Sequence, residues 1–169
     1  MSQPFRVDLE LIREVPITAE EAFAGWTVPD LLMQWFCPRP WKVVEAQVDL
    51  LAGGLFATTM QSPEGHSLPR GEGCLLLVEA PHRLVWANFL RPGFCPQPLP
   101  EGGFGFVCDV RFEPTGPQSI RYHATVRHLD EAGCERHRQM GFEAGWGAAL
   151  DQLVELSVQR RGRGPSPGP

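Results

Sequence analysis

Apolar residues recur at every second position through most of this chain, in short runs broken by glycine and proline. Only one long stretch, at the C-terminal end, places them at helical spacing. A period of two puts alternate side chains on opposite faces of a strand, whereas a period near 3.6 lines one face of a helix. A sheet assembled from so many strands must cover its apolar face, and only the C-terminal helix is long enough to do so. There is no alternation of strand and helix, and short turns join the strands, so neighbours are expected to be antiparallel. The expected class is α+β, with a strongly bent sheet wrapped around one helix.

The elements follow in order. Phe5 to Val15 sets Val7, Leu9, Leu11 and Val15 on one face and Asp8, Glu10 and Glu14 on the other, a half-buried strand. Thr18 and Glu21 have capping-box spacing, with Ile17 at the staple position, and open a short helix carrying Ala22, Phe23 and Trp26 inward. Pro29 starts a second short helix, Asp30 to Trp35, because proline inside one longer helix would cost about 3 kcal/mol. From Lys42 the period returns to two, with Val44, Ala46, Val48 and Leu50 sharing a face. Further strands are expected at Leu55 to Met60, Gly73 to Glu79, Arg83 to Phe89, Gly105 to Glu113 and Gln118 to His128. Gly53–Gly54, Ser62 to Gly65, Pro81–His82 and Pro114 to Pro117 make the turns. The closing helix is expected from Arg138 to Gln159, with Phe142, Trp146, Ala149, Leu150, Leu153 and Ser157 as its stripe. Gly141, Gly145 and Gly147 weaken that helix, and point to close packing of its backbone across the sheet.

The 18 glycines and 17 prolines are about a fifth of the 169 residues, against roughly 12% in an average protein. Beyond the turns, they concentrate in Arg91 to Gly103, which is either a plain surface loop or a lid beside a pocket. They also concentrate in the tail RRGRGPSPGP, expected to be disordered over residues 160–169, leaving a single domain at 1–159. The length and a 43% hydrophobic content suffice for one substantial core. Fifteen Lys and Arg against 20 Asp and Glu argue against a broad electrostatic grip on nucleic acid or anionic lipid. No apolar run reaches membrane-helix length and the N-terminus lacks a signal pattern, so the expected location is cytoplasmic, without membrane insertion. Cys37, Cys74, Cys95, Cys108 and Cys134 are odd in number and widely spaced, with no CxxC, and are expected to be small buried hydrophobes.

Several segments carry a family resemblance. LELIREVPITAEEAFAGWTVPDLLMQWF, VDLLAGGLF, GEGCLLLVEAPHRLVWANF, VRFEPTG and GFEAGWGAALDQLVEL occur in order over residues 6–158. Together they resemble the Hsp90-ATPase-activator-homologue-like proteins of the START-like, or Bet v 1-like, helix-grip superfamily (SRPBCC). The resemblance implies the helix-grip fold, with Trp35–Phe36, Gly53–Gly54, Leu84-Val85-Trp86, Gly145–Trp146, Leu150 and Leu153 at matching structural positions. The superfamily includes lipid and hormone binders, ring cyclases and chaperone-associated domains. The eukaryotic chaperone activator carries an additional N-terminal domain, for which this chain is expected to have no room.

No GxGxxG, P-loop, HExxH or GxSxG pattern occurs, and Gly102–Gly105 lacks the lysine and helix of a phosphate cradle. His123 and His128 fall on opposite strand faces. His123 shares its face with Ser119, Arg121, Thr125 and Arg127, which is either solvent surface or the polar wall of a pocket. His137 is expected to be exposed ahead of the helix, and Asp109 with Arg111 to lie on a solvent face. Trp26, Trp35, Trp41, Trp86, Phe104, Phe106, Phe142 and Trp146 suit either a core or an apolar chamber, the commonest form of ligand site. The leading expectation is a binding module for a small hydrophobic or amphipathic ligand. Trp35, Trp86, Phe104, Phe142 and Trp146 would line its cavity, and Arg121 or His123 would serve as the polar handle. The alternatives are a chaperone-associated interaction module and a pocket enzyme using acid–base chemistry on a cyclic or carbonyl substrate. No catalytic residue, metal ligand or cofactor is singled out, and monomer and homodimer both remain open.

Overall fold

Residues 8–163 are described by the computed structural model. Strand β1 (Asp8–Val15) buries Leu9, Leu11 and Val15 and turns Glu10, Ile12 and Glu14 outward, as its period of two requires. Phe5 to Val7, expected to begin this strand, lie outside the described residues. Thr18 then caps α1 (Ala19–Thr27): its hydroxyl accepts from the Glu21 amide at 3.1 Å, and the Glu21 carboxylate accepts from the Thr18 amide at 2.8 Å. Pro29 is the first residue of α2 (Pro29–Leu32), where its missing N–H goes unneeded.

The following strands are β2 (Lys42–Val48), β3 (Leu55–Gln61), β4 (Gly71–Glu79) and β5 (Arg83–Ala87). The small hairpin β6 (Leu90–Arg91) and β7 (Cys95–Pro96) comes next, then β8 (Phe106–Gly116) and β9 (Ser119–His128). Seven of them make one antiparallel sheet in the order β1-β9-β8-β5-β4-β3-β2. Its inner face supplies the core: Phe56, Leu75, Leu84, Trp86, Cys108, Val110, Phe112, Ile120, Tyr122, Ala124 and Val126. The sheet curls around the C-terminal helix α4 (Phe142–Gly162), whose Ala149, Leu150 and Leu153 join that core. This is the helix-grip arrangement.

Bonds to β1, to the segment after α2 and to α1 hold α4 in place. Arg13, on the inner face of edge strand β1, donates to the Gly147 carbonyl at 2.6 Å and to Asp151 at 2.9 Å. A Cβ at Gly147 would stand 2.8 Å from the Arg13 guanidinium, so the close approach inferred from the helix glycines is real at this one. Gln152 donates to the carbonyls of Trp35 and Cys37, at 3.1 and 2.9 Å, and so ties the segment after α2 to the helix. Arg161 pairs with Glu21 of α1.

Five expectations need correction. A bulge between Val43 and Glu45 shifts the start of β2: Val43 is buried and Val44 exposed, while Ala46 and Val48 pack against the core as expected. Leu50 lies beyond the strand and is exposed. The segment before the closing helix is itself a helix, α3 (Glu131–Gln139), capped by Asp130 through a 2.6 Å bond from the Gly133 amide. Gly141, at φ 88°, separates α3 from α4, a backbone state that glycine adopts without Cβ strain. Helix α4 runs to Gly162, three residues past its expected end; the remaining tail, 164–169, lies outside the described residues. Cys37, Cys74, Cys108 and Cys134 are buried as expected, but Cys95 is exposed on the β6–β7 hairpin; all five thiols are free. Among the described residues, no helix is long and apolar enough to cross a membrane.

Candidate functional site

The inner face carries a continuous row of aromatic rings. Trp35 contacts Trp26 at 5.1 Å between centroids, Trp26 contacts Phe56 at 6.2 Å, and Phe56 contacts Trp86 at 4.7 Å. Trp86 meets Phe106 at 5.3 Å, and Phe106 meets the His137 ring at 5.8 Å. Phe104 stacks on His137 at 4.6 Å and 29°, while Phe142 and Trp146 approach its edges at 5.1 and 6.0 Å. All five aromatic residues expected to line a ligand site therefore stand in one row, Trp35 at one end and Phe104, Phe142 and Trp146 at the other. Phe36, Phe106 and Trp146 remain partly exposed along it. Trp41 of the wider aromatic set is exposed and takes no part.

The polar groups in the row are few. Trp26 donates its indole N–H to the Tyr122 hydroxyl at 3.2 Å, and Trp35 donates to the Gly25 carbonyl at 2.8 Å. Trp86, only 7% exposed, has no partner for its indole N–H. The thiol beside it belongs to Cys108, a weak acceptor that burial holds far above its ordinary pKa. At the other end, His128 Nε2 and His137 Nδ1 share a hydrogen bond of 2.9 Å. His137 is 8% exposed, which corrects the expectation of a surface residue. Burial, and secondarily the nearby His128, push its pKa from 6.5 down to about 4, so its imidazole is neutral at physiological pH.

The structure does not bring Arg121 and His123 to this row. Both lie on the opposite, outer face of β9, since residues 120, 122, 124 and 126 are the ones pointing into the core. His123 lies 3.6 Å from Glu10 and 3.1 Å from the Thr125 hydroxyl, and Arg121 lies 3.7 Å from Glu113. With Arg83 and Arg111 they border an outer hollow of about 590 Å³. Beside it Asp109, only 3% exposed, receives Arg83 through two bonds of 2.9 and 3.0 Å, Arg111 at 3.2 Å and Arg127 at 3.6 Å. The expected solvent-facing aspartate is thus roofed by three arginines. Burial raises its pKa, but the Arg83 and Arg111 hydrogen bonds and charges outweigh that and hold it below the usual range. Another hollow, of about 600 Å³, opens where α3 meets α4, against Leu9, Arg138 and Phe142.

His128 and His137 are the polar pair that sequence reasoning missed. A usable signal existed: Asp130 is a strong N-cap residue, and Gly133, Cys134 and His137 follow at helical spacing as the buried face of α3.

Residues 16–157 match the model of the family described as "Activator of Hsp90 ATPase homolog 1-like protein". The chain belongs to this family. Among solved structures it is similar to protein NE0264 of Nitrosomonas europaea, with 35% identity over 92% of this chain and 96% of that one, at a TM-score of 0.84. A protein from Arthrobacter aurescens shares the fold at 22% identity and a TM-score of 0.77, covering 91% of this chain and 87% of its own. The AHSA1 protein of Silicibacter pomeroyi does so at 24% identity and a TM-score of 0.64, covering 90% and 99%. No curated protein matches the chain. The family and its fold are compatible with a ligand-binding module.

Proposed function

We propose that the protein binds a small hydrophobic or amphipathic molecule along the inner-face aromatic row. The observation that carries this reading is the unpartnered indole N–H of Trp86 among Phe56, Phe106 and other rings. Leaving a buried donor unsatisfied costs about 1–3 kcal/mol, so native proteins nearly always give such a group a partner. A ligand that brings an acceptor there recovers that cost, and its apolar body gains roughly 25 cal/mol per Å² removed from water. The rings touch one another, so a ligand enters by turning half-buried Phe106 and Trp146 aside rather than by filling a ready-made chamber. Side-chain rearrangements of this size are common on binding.

Native mass spectrometry of the purified full chain tests the reading, together with titration of its tryptophan fluorescence by lauric acid and dodecanol. Saturable quenching by either compound, or a co-purified apolar molecule, is the expected result. Unaltered fluorescence with both compounds and a bare protein mass would overturn it.

A further inference from the structure

We infer that α3 is a lid on the aromatic row: the ligand enters from the hollow between β1, α3 and α4, and the His137 side chain is a plug that leaves with the helix. The inference rests on the binding reading above and gives the ligand its way in.

Phe106 and Trp146, the rings that must turn aside, both lie against His137, at 5.8 and 6.0 Å. Phe104 and Phe142 contact the same imidazole, at 4.6 and 5.1 Å. One side chain of α3 thus fills the space among four rings, and its withdrawal makes room beside all four at once. Phe142 also walls the hollow of about 600 Å³, together with Leu9 of β1 and Arg138 at the end of α3. The hollow and the row therefore meet at this ring.

Helix α3 is lightly held for its position. It buries Gly133, Cys134 and His137, and its other six residues are exposed. No large apolar side chain anchors it, and an imidazole regains water on leaving the interior where a leucine would lose its burial. Among the described residues, two side-chain hydrogen bonds tie it to other parts of the protein. One is the bond of 2.9 Å between His137 and His128 of β9, which holds whichever ring carries the shared proton. The other runs from Arg136 to the Gly103 carbonyl, at 2.9 Å. Elements with so little buried apolar surface open at the lowest cost, and lids are drawn from them. Gly141 joins α3 to α4 and gives the lid its pivot.

Hydrogen exchange of the full chain without ligand tests the lid by itself. The α3 amides are expected to exchange about tenfold or more faster than those of α4 around Leu150 and Leu153. Arg136→Ala cuts an exposed tie outside the row, and is expected to speed exchange in α3 about threefold while leaving the centre of α4 unchanged. Stopped-flow mixing with lauric acid or dodecanol, followed by tryptophan fluorescence, tests the route. Association is expected to be about threefold faster in Arg136→Ala, and faster still in His137→Ala, which removes both the plug and its bond. Should His137→Ala fail to fold, Arg136→Ala carries the same readouts. Exchange in α3 as slow as at the centre of α4, or moved by neither variant, would overturn the lid and leave the binding reading standing. So would a variant whose α3 exchanges faster yet takes up ligand no faster. Absence of quenching by both compounds in the wild-type chain would overturn the binding reading, and the lid with it.

Discussion

His137 and Asp109 are both buried ionisable residues, yet burial leaves one neutral and the other charged. His137 has rings around it and one imidazole as its polar neighbour, so the neutral form is favoured. Asp109 has three arginines around it, and the hydrogen bonds and charges of two of them, Arg83 and Arg111, outweigh its burial. The two therefore act on stability in different pH windows. An unfolded chain takes up a proton on His137 near pH 6.5, while the folded chain resists until about pH 4. Stability from this residue is complete above pH 6.5 and falls as the pH drops towards 4, by up to about 3 kcal/mol. The share due to Asp109 is lost only at lower pH, through and below the ordinary carboxylate range near 4. Urea unfolding at pH 7 and pH 4.5 is expected to show the histidine loss in wild type and a smaller one in His137→Phe. Equal losses in the two proteins would show that His137 is not the group that titrates. Local spacing showed only part of each environment: Arg111 two residues from Asp109 on one strand face, and the helical spacing of Gly133, Cys134 and His137. The arginines on Asp109 come from β5, β8 and β9, and the rings on His137 come from β8, the loop before it and α4, so both sites depend on long-range pairing that local spacing does not encode.

At the scale of elements, close contacts decide what the chain tolerates. In α1, a Cβ at Gly25 would stand 2.4 Å from Leu153 Cδ1, so the fully buried Leu153 side chain of α4 would have to shift within the packed core. Gly25→Ala is therefore expected to destabilise the fold by about 1–3 kcal/mol despite alanine's better helix propensity. Denaturant titration at neutral pH reads this directly, and an unchanged midpoint would mean that α1 and α4 can separate without cost. On the outer face, Asp109→Asn removes the one carboxylate that gathers Arg83, Arg111 and Arg127. These arginines are partly solvated and keep their charge in water, so the expected loss is about 1–3 kcal/mol rather than the full cost of an unpaired buried ion. The same denaturant titration checks it, and a variant as stable as wild type would mean that the arginines roof the sheet without the carboxylate. The elements differ in how plainly the sequence announced them. Strands β8 and β9 and helix α4 were legible because long apolar patterns repeat on one face. Strand β2 was misread at its start because the extra residue at the Val43–Glu45 bulge puts Val43, not Val44, on the face that Ala46 and Val48 share. Helix α3 was missed because its buried face is Gly133, Cys134 and His137, with no strongly apolar residue to set a period.

The whole molecule is a sheet with two edges treated unequally. Among the described residues, strand β1 pairs only with β9 and β2 only with β3, so each leaves one row of backbone groups outside the sheet. Strand β1 is nonetheless clamped from within: Arg13 reaches α4 at Gly147 and Asp151, while Leu9, Leu11 and Val15 are buried in the core. Strand β2 has Val43 buried and Ala46 and Val48 only partly covered, and its bulge breaks the ladder with β3. Opening an edge strand costs the burial and bonds it alone makes, so local stability is expected to differ across the sheet. Hydrogen exchange followed strand by strand is expected to show β8 and β9 slowest, β1 intermediate, and β2 fastest of the seven. Arg13→Ala is expected to bring β1 towards the rate of β2 while leaving β8 unchanged, because it removes the tie to α4 and nothing from the central pairs. A β1 that already exchanges as fast as β2 in wild type would mean that the helix grips the centre of the sheet alone. The inner-face row runs from the α1–α2 end, past β3, β5 and β8, to the α3–α4 junction. On the binding reading proposed above, a fast-exchanging β2 edge, whose Val48 pairs with Phe56, would give the closely packed rings room to part, while the clamp on β1 holds the rest of the grip in register.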